Sequence, residues 1–119
     1  MIDLARSLVT DPRWRWAPGV RACWGDGGPR FAAHRVTEDD GPSDLTALGW
    51  WPDLDDPATA GVLVGMLREA VAGRTVEILM FRGSVEVCVG PASQGGNVFV
   101  DTSLGRAAAR AWLSTKEQA

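Results

Sequence analysis

The chain has 119 residues, a formal net charge of −3 at pH 7, and 45% hydrophobic against 23% charged residues. This is the length of one ordinary domain and the composition of a folded protein, which excludes a disordered chain. The lack of any apolar run of about 18 residues excludes a membrane span, and the lack of a charged leader with an apolar core argues against a signal peptide. We therefore expect a single domain over residues 1–119, without membrane association.

Residue usage indicates a gene from a G/C-rich genome. All but one of the 12 basic residues are arginine, the exception being Lys116, and the chain holds a single asparagine and no tyrosine. Residues with A/T-rich codons are thus depleted, which favours a bacterial or bacteriophage origin. Since no leader opens the chain, we expect a protein of the bacterial cytoplasm with reduced cysteines.

The first part of the chain predicts a short helix, a strand and a hairpin. Apolar residues at helical spacing predict a helix over residues 2–9, which Asp11-Pro12 ends. The alternation in Arg13-Trp14-Arg15-Trp16 is typical of a strand with tryptophan inside and arginine outside. Residues 20–24 and 30–36 flank a glycine-rich turn and predict a β-hairpin.

A long acidic connection precedes the clearest helix. Residues 37–56 are rich in glycine, proline and aspartate, and we expect a long loop that Trp50-Trp51 pins to the body of the protein. Asp56-Pro57 supplies a helix N-cap followed by proline at the first helical position. Gly61 and Gly65 share one face of this helix. Their spacing favours close approach to a sheet over pairing with a second helix.

The last part of the chain predicts three strands and a helix. Residues 75–81 and 85–89 are rich in β-forming residues on either side of a short turn, and residues 97–101 follow as a third strand. Ser103 is placed to cap a final helix, and the tail over residues 116–119 is expected to fray. This order predicts an α+β domain with one antiparallel sheet of about five strands and two or three helices packed mainly on one face.

Familiar catalytic and metal sites find little support. The single histidine, His34, would have to serve any Ser–His–Asp or Cys–His mechanism, and Cys23 is placed to face it across the hairpin. Neither Cys23 nor Cys88 belongs to a Cys-x-x-Cys motif, so we expect two buried thiols, with no metal and no other cofactor. The run Asp53-Leu54-Asp55-Asp56 lacks the spacing of a calcium loop. A small hydrolase or isomerase that uses His34 is the alternative function.

Acidic charge is concentrated in the middle of the chain. Residues 36–59 hold seven acidic residues and no basic one, whereas residues 1–35 hold six arginines against three aspartates. Such a block either attracts a basic partner or forms a solvated loop. The negative net charge and the lack of a basic recognition helix argue against binding to duplex nucleic acid.

Tryptophan is the unusual feature of the composition, with six in the chain. Tryptophan and arginine together bind nucleotides and dominate protein–protein hot spots, while in a small domain tryptophan also fills the core. Spacing assigns Trp14, Trp16 and Trp112 to the core. Trp50 and Trp51 are adjacent and would point to opposite faces of an extended segment, so we expect one of them to face outward or into a partner.

One segment resembles a known group of short proteins. Residues 50–61 read Trp-Trp-Pro-Asp-Leu-Asp-Asp-Pro-Ala-Thr-Ala-Gly and run on into Leu67-Arg68-Glu69-Ala70. This resembles short phage and prophage proteins in which Pro-Asp-Leu-x-Asp-Pro-Ala-Thr-x-Gly leads into an apolar helix. The Trp-Arg-Trp-x-Pro-Gly-Val pattern near the N-terminus is also similar to theirs. The resemblance implies a mobile-element origin and an auxiliary role, with no catalytic residue to transfer.

These features predict a small interaction or ligand-binding protein without catalysis. The residues expected to bind are Trp50, Trp51 and Asp53 in the long loop, together with Arg13 and Arg15 as an outward-facing pair. In one version the acidic loop modulates a host or phage protein, and in the other the tryptophans and arginines sequester a small nucleotide-like ligand. A homodimer is one expected form, and a virion structural subunit is a further alternative.

Overall fold

A computed structural model of the chain describes residues 2–25, 32–38, 45–90 and 96–115. This part contains three helices, none of them long or apolar enough to cross a membrane, and six strands. In chain order the elements are α1 (Ile2–Thr10), β1 (Arg21–Trp24), β2 (Ala32–Arg35), β3 (Trp51–Pro52), α2 (Pro57–Ala70), β4 (Val76–Phe81), β5 (Ser84–Val89), β6 (Asn97–Asp101) and α3 (Leu104–Ser114). The predicted α+β class is confirmed. The turn of the first hairpin, the acidic loop over residues 39–44 and the tail over residues 116–119 lie outside the described residues.

The strands form two three-stranded antiparallel sheets, so the prediction of one sheet of five strands is wrong. In the first sheet β1 lies between β2 and β3, and in the second β5 lies between β4 and β6. The prediction missed β3, in which Trp51 and Pro52 pair with Cys23 and Ala22 of β1. In the first sheet β2 and β3 take both edges of β1, and after α2 the second hairpin forms a separate sheet with β6.

The predicted strand at Arg13-Trp14-Arg15-Trp16 is not formed. The segment is irregular, and its indoles anchor it without a strand partner. The Trp14 and Trp16 rings pack edge to face with centroids 5.4 Å apart, and Trp14 makes a similar contact with Trp112 at 6.5 Å. Trp112 is 3% exposed, which confirms its predicted core position, whereas Trp14 and Trp16 are half-buried.

Both predicted helix caps are confirmed. The carboxylate of Asp56 accepts a hydrogen bond from the amide of Thr59 at 3.0 Å, one turn into α2. The hydroxyl of Ser103 accepts one from the amide of Arg106 at 3.3 Å, at the start of α3. These side chains satisfy amide groups that the helix itself leaves without a partner.

The predicted close approach of Gly61 and Gly65 to a sheet is wrong. Both lie on the exposed side of α2, and a Cβ added to either would have nothing within 4 Å. The close approach occurs instead at Gly105, where an added Cβ would lie 1.8 Å from the carbonyl oxygen of Leu54. Glycine at this position therefore allows α3 to begin directly against the segment that joins β3 to α2.

The main core lies between α2, α3 and the inner face of the second sheet. Leu67 of α2, Val87 of β5 and Trp112 of α3 belong to this one buried cluster. A smaller cluster that includes Val20 and Val36 lies against the first sheet. Helix α3 packs on β5 and β6 over the face that carries Val85 and Val87, while Met80 on the same side of the edge strand β4 remains 69% exposed.

Candidate functional site

Arg13, one of the two arginines expected to face outward, is held by contacts within the chain. Its guanidinium donates to both carboxylate oxygens of Asp11, with Nε 3.0 Å from Oδ1 and Nη2 3.1 Å from Oδ2. It also donates to the hydroxyl of Thr115 at 2.6 Å and lies 4.2 Å from the centroid of the Trp112 ring. This bidentate and stacked arrangement joins the segment after α1 to the end of α3.

Arg13 and Arg15 line one cleft of about 440 Å³, next to Trp112. Arg15 is mostly exposed, and its guanidinium lies 3.0 Å from the carboxylate of Glu69, which is also mostly exposed. Each guanidinium of the cleft thus faces a carboxylate, and the buried ring of Trp112 offers no open face for stacking. This geometry does not favour a nucleotide.

Trp50, Trp51 and Asp53 lie apart from that cleft, and none of them lines it. Trp50 packs against the smaller hydrophobic cluster, and Trp51 packs against the main core while its indole N–H donates to the carbonyl of Gly25 at 3.1 Å. Both are half-buried, so each keeps some exposed surface, and the expectation that one of the pair faces outward or into a partner stays a prediction. The two side chains thus pack against different hydrophobic clusters.

Three aspartates between β3 and α2 each bind an arginine from a different element of the fold. We call Asp53, Asp55 and Asp56 the aspartate clasp. The pairs are Asp53 with Arg21 of β1 at 2.5 Å, Asp55 with Arg106 of α3 at 2.9 Å, and Asp56 with Arg35 of β2. The three aspartates of the acidic block that lie between β3 and α2 therefore each have a cationic partner within the chain.

Asp56 has the strongest electrostatic support in the clasp. Arg35 donates to both of its oxygens, with Nη2 3.0 Å from Oδ1, and Thr59 donates through its amide and its hydroxyl at 3.0 Å each. These hydrogen bonds, with that of Arg35 the largest, lower the pKa of Asp56 to about 2. The ionised carboxylate joins β2 to the first turn of α2.

In the described ranges no three acidic, histidine or cysteine side chains are grouped so as to hold a metal ion.

Cys23 and His34 do not face each other, contrary to the prediction. The register of the hairpin places Ala22 opposite His34 and Cys23 opposite Ala33. Because successive residues of a strand point to opposite faces, the thiol and the imidazole lie on opposite sides of the sheet. Both Cys23 and Cys88 are buried free thiols, as predicted. Burial raises the pKa of the Cys23 thiol, which disfavours the thiolate that a nucleophile needs.

The outer face of the second sheet carries large apolar side chains that no element in the described part of the chain covers. Strand register aligns Leu79, Glu86 and Val100 in one row across the sheet, and Glu77, Cys88 and Val98 in the next. Phe81 lies beyond Leu79 on the same side of β4. We call this surface the open face. Its exposed apolar members are Leu79 at 44%, Phe81 at 53%, Val98 at 47% and Val100 at 53%.

The charge on the open face is negative. Among the described residues, neither Glu77 nor Glu86 forms an ion pair. Cys88 lies between Glu77 and Val98 across the strands, and its pKa is raised first by burial and then by the charges of Glu86 and Glu77. The two carboxylates therefore act on the middle of this surface without a neutralising cation.

The site residues chosen from the sequence did not include the open face, although a signal for it was present. Residues 78–81 are Ile-Leu-Met-Phe, and residues 98–100 are Val-Phe-Val. A strand with one solvated face alternates apolar and polar residues, whereas a continuous apolar run places apolar side chains on both faces. Helix α3 packs on the other face at β5 and β6, so the second set of these side chains remains exposed, as does Met80 on the α3 side of β4 at 69%.

Comparison with known proteins identifies no relative: no family model, no curated protein and no solved structure matches the chain. The site geometry and its chemistry are therefore the basis on which a function can be assigned.

Proposed function

We propose that this chain is a binding protein without catalysis that holds a polypeptide on its open face. The observation that carries the proposal is the set of four large apolar side chains, 44% to 53% exposed, grouped on one side of a single sheet. Apolar patches of this kind on a folded protein mark interaction surfaces. The auxiliary role toward a host or phage protein that the resemblance implies is part of this proposal.

A polypeptide fits the open face better than a nucleotide does. The surface combines apolar side chains with the unneutralised carboxylates of Glu77 and Glu86, which repel phosphate. A polypeptide supplies apolar side chains that cover Leu79, Phe81 and Val100 without bringing negative charge. Each of these is about half exposed, so covering one completely contributes roughly 1 kcal/mol to binding.

Selection of a displayed library of random peptides on the immobilised protein tests the proposal. We expect the wild type to enrich binding peptides, and their affinity for the double variant Leu79→Thr/Val100→Thr to fall about tenfold or more, because two apolar contacts are lost. Threonine suits a strand, and both positions are half exposed, so the variant is expected to fold. Its urea unfolding midpoint checks that it does.

A matched control removes an exposed apolar side chain elsewhere. Leu48 is 65% exposed and lies in the turn before β3, outside the open face. The Leu48→Thr variant should bind the enriched peptides as tightly as the wild type does. Enrichment that is equal on the wild type and on Leu79→Thr/Val100→Thr, or absent on both, contradicts the proposal.

A further inference from the structure

Glu86 occupies the middle of the open face. It lies on the central strand β5, with Leu79 of β4 opposite it on one side and Val100 of β6 opposite it on the other. Neighbouring strands are about 4.8 Å apart, so Leu79 and Val100 are separated by roughly 10 Å. Any segment that covers both apolar side chains therefore also covers the carboxylate between them.

Covering Glu86 removes water from a charged group that is already half-buried. A desolvated carboxylate without a cationic partner opposes binding, and the loss exceeds the gain from nearby apolar contacts. Within the described part of the chain no lysine or arginine pairs with Glu86. The compensating cation must therefore come from the occupant of the open face.

A second copy of this chain does not supply that cation through the same surface. A two-fold pairing of two open faces places both copies of Glu86, and both copies of Glu77, in one desolvated layer. The described members of the face are apolar, polar or acidic, so no cation separates these carboxylates. Like charges in such a layer repel each other, and face-to-face self-association is disfavoured.

We infer that the occupant is a polypeptide segment with an arginine or lysine between large apolar side chains. Its cation meets Glu86, and its apolar side chains cover Leu79 and Val100 on either side. Arginine can donate to both carboxylate oxygens, and Glu77 in the neighbouring row adds attraction for further positive charge. This inference rests on the proposed function, because it specifies the chemistry of what the open face binds.

Selection of the same random-peptide library on charge variants of Glu86 tests the inference. Peptides enriched on the wild type should carry a basic residue between apolar ones. Their affinity should fall about tenfold or more for Glu86→Gln, which keeps the size of the side chain and removes its charge. Selection on Glu86→Lys should instead enrich peptides with an acidic residue at the corresponding position.

A matched control applies the same charge change outside the open face. Glu69→Lys alters an exposed glutamate of α2, so it changes the net charge equally and leaves the open face intact. The preference for basic peptides should persist on this variant. Loss of the preference would assign it to the overall charge of the protein, and would overturn the role of Glu86.

The outcomes separate this inference from the function on which it rests. Peptides that depend on Leu79 and Val100 but show no preference for basic residues, or that bind Glu86→Lys equally well, overturn the inference and leave the proposed function standing. Peptides that do not depend on the open face at all contradict both. Sedimentation that shows a wild-type dimer, lost in Leu79→Thr/Val100→Thr, makes a second copy the occupant and also overturns the inference.

Discussion

The aspartate clasp and the open face differ in whether their side chains have partners within the described part of the chain. In the clasp, Asp53, Asp55 and Asp56 come from the most acidic part of the chain, and each has an arginine from a distant element as its partner. On the open face, the apolar residues of two strands stay exposed, and Glu86 between them has no ion pair in the described part of the chain. The three aspartates of the clasp are thus paired within the chain, whereas Glu86 on the open face is not paired within the residues that the structure describes.

This difference teaches that a side chain is available to bind another molecule when the fold leaves it exposed and without a partner in its own chain. A local excess of charge predicts a partner but does not say whether that partner belongs to the same chain. An apolar run predicts burial but does not say whether one face or both will be covered. Variants in the two regions can therefore break or sharpen the comparison.

The largest effect is expected from Gly105→Ala, which disturbs the packing of the start of α3 against Leu54, next to the aspartate clasp. The new Cβ would lie 1.8 Å from the carbonyl oxygen of Leu54, a backbone atom that cannot move aside alone. The start of α3 must shift, and the pairing of Arg106 with Asp55 shifts with it. We expect the free energy of unfolding, measured by urea denaturation, to fall by about 3 kcal/mol or more.

Gly65→Ala is the matched control for this substitution. Gly65 is also a helical glycine, but it lies on the exposed side of α2 with nothing within 4 Å of an added Cβ. Alanine should raise the free energy of unfolding by up to about 1 kcal/mol, because it restricts the unfolded chain and favours the helix. If Gly105→Ala behaved in the same way, the close packing of α3 on Leu54 would be refuted.

A smaller effect on the free energy of unfolding is expected from Arg13→Ala, and it should differ from that of Arg15→Ala, although the sequence places the two arginines together. Arg13→Ala removes the bidentate partner of Asp11, whose side chain is only 2% exposed, and the cation over the Trp112 ring. We expect a loss of about 2 kcal/mol in the free energy of unfolding. Arg15→Ala breaks only an exposed pair with Glu69 and should change it by less than about 0.5 kcal/mol. Equal effects would show that Arg13 is as dispensable as Arg15 to the fold.

Much of the local structure could be predicted from the sequence because short-range chemistry determines it. Asp56-Pro57 begins α2 and Ser103 begins α3, since a capping side chain and its amide partner lie within one turn of each other. The β4–β5 hairpin follows equally from two β-rich runs around a short turn. In each case the residues that cause the element are neighbours in the chain.

Contacts between distant residues could not be predicted in the same way. The division into two sheets has no local signal, and the two residues of β3, which pair with β1, carry no strand pattern. The arginine partners of the clasp come from three separate elements, and nothing local links Asp55 to Arg106. The open face had a local signal in its apolar runs, but nothing local shows that α3 packs on the opposite side of β5 and β6.

The smallest effect tests whether charge in the clasp stabilises the fold while charge on the open face does not. Asp56→Asn keeps an acceptor for the amide of Thr59 but loses the ion pair with Arg35, and we expect a loss of about 1 kcal/mol at neutral pH. Because the pKa of Asp56 is lowered to about 2 from its ordinary value of 3.8, this stabilisation is complete above pH 3.8. It is lost as the pH falls toward 2.

Urea denaturation of the wild type and Asp56→Asn between pH 7 and pH 2 measures this difference, which should shrink to near zero at the acidic end. Glu86→Gln is the matched control on the open face. It breaks no ion pair in the described part of the chain, so its free energy of unfolding should stay within about 0.5 kcal/mol of that of the wild type. A cost for Asp56→Asn that does not vary with pH would assign the stabilisation to the cap alone. A cost for Glu86→Gln as large as that for Asp56→Asn would mean that Glu86 already has a partner within the chain, and the contrast between the two regions would fail.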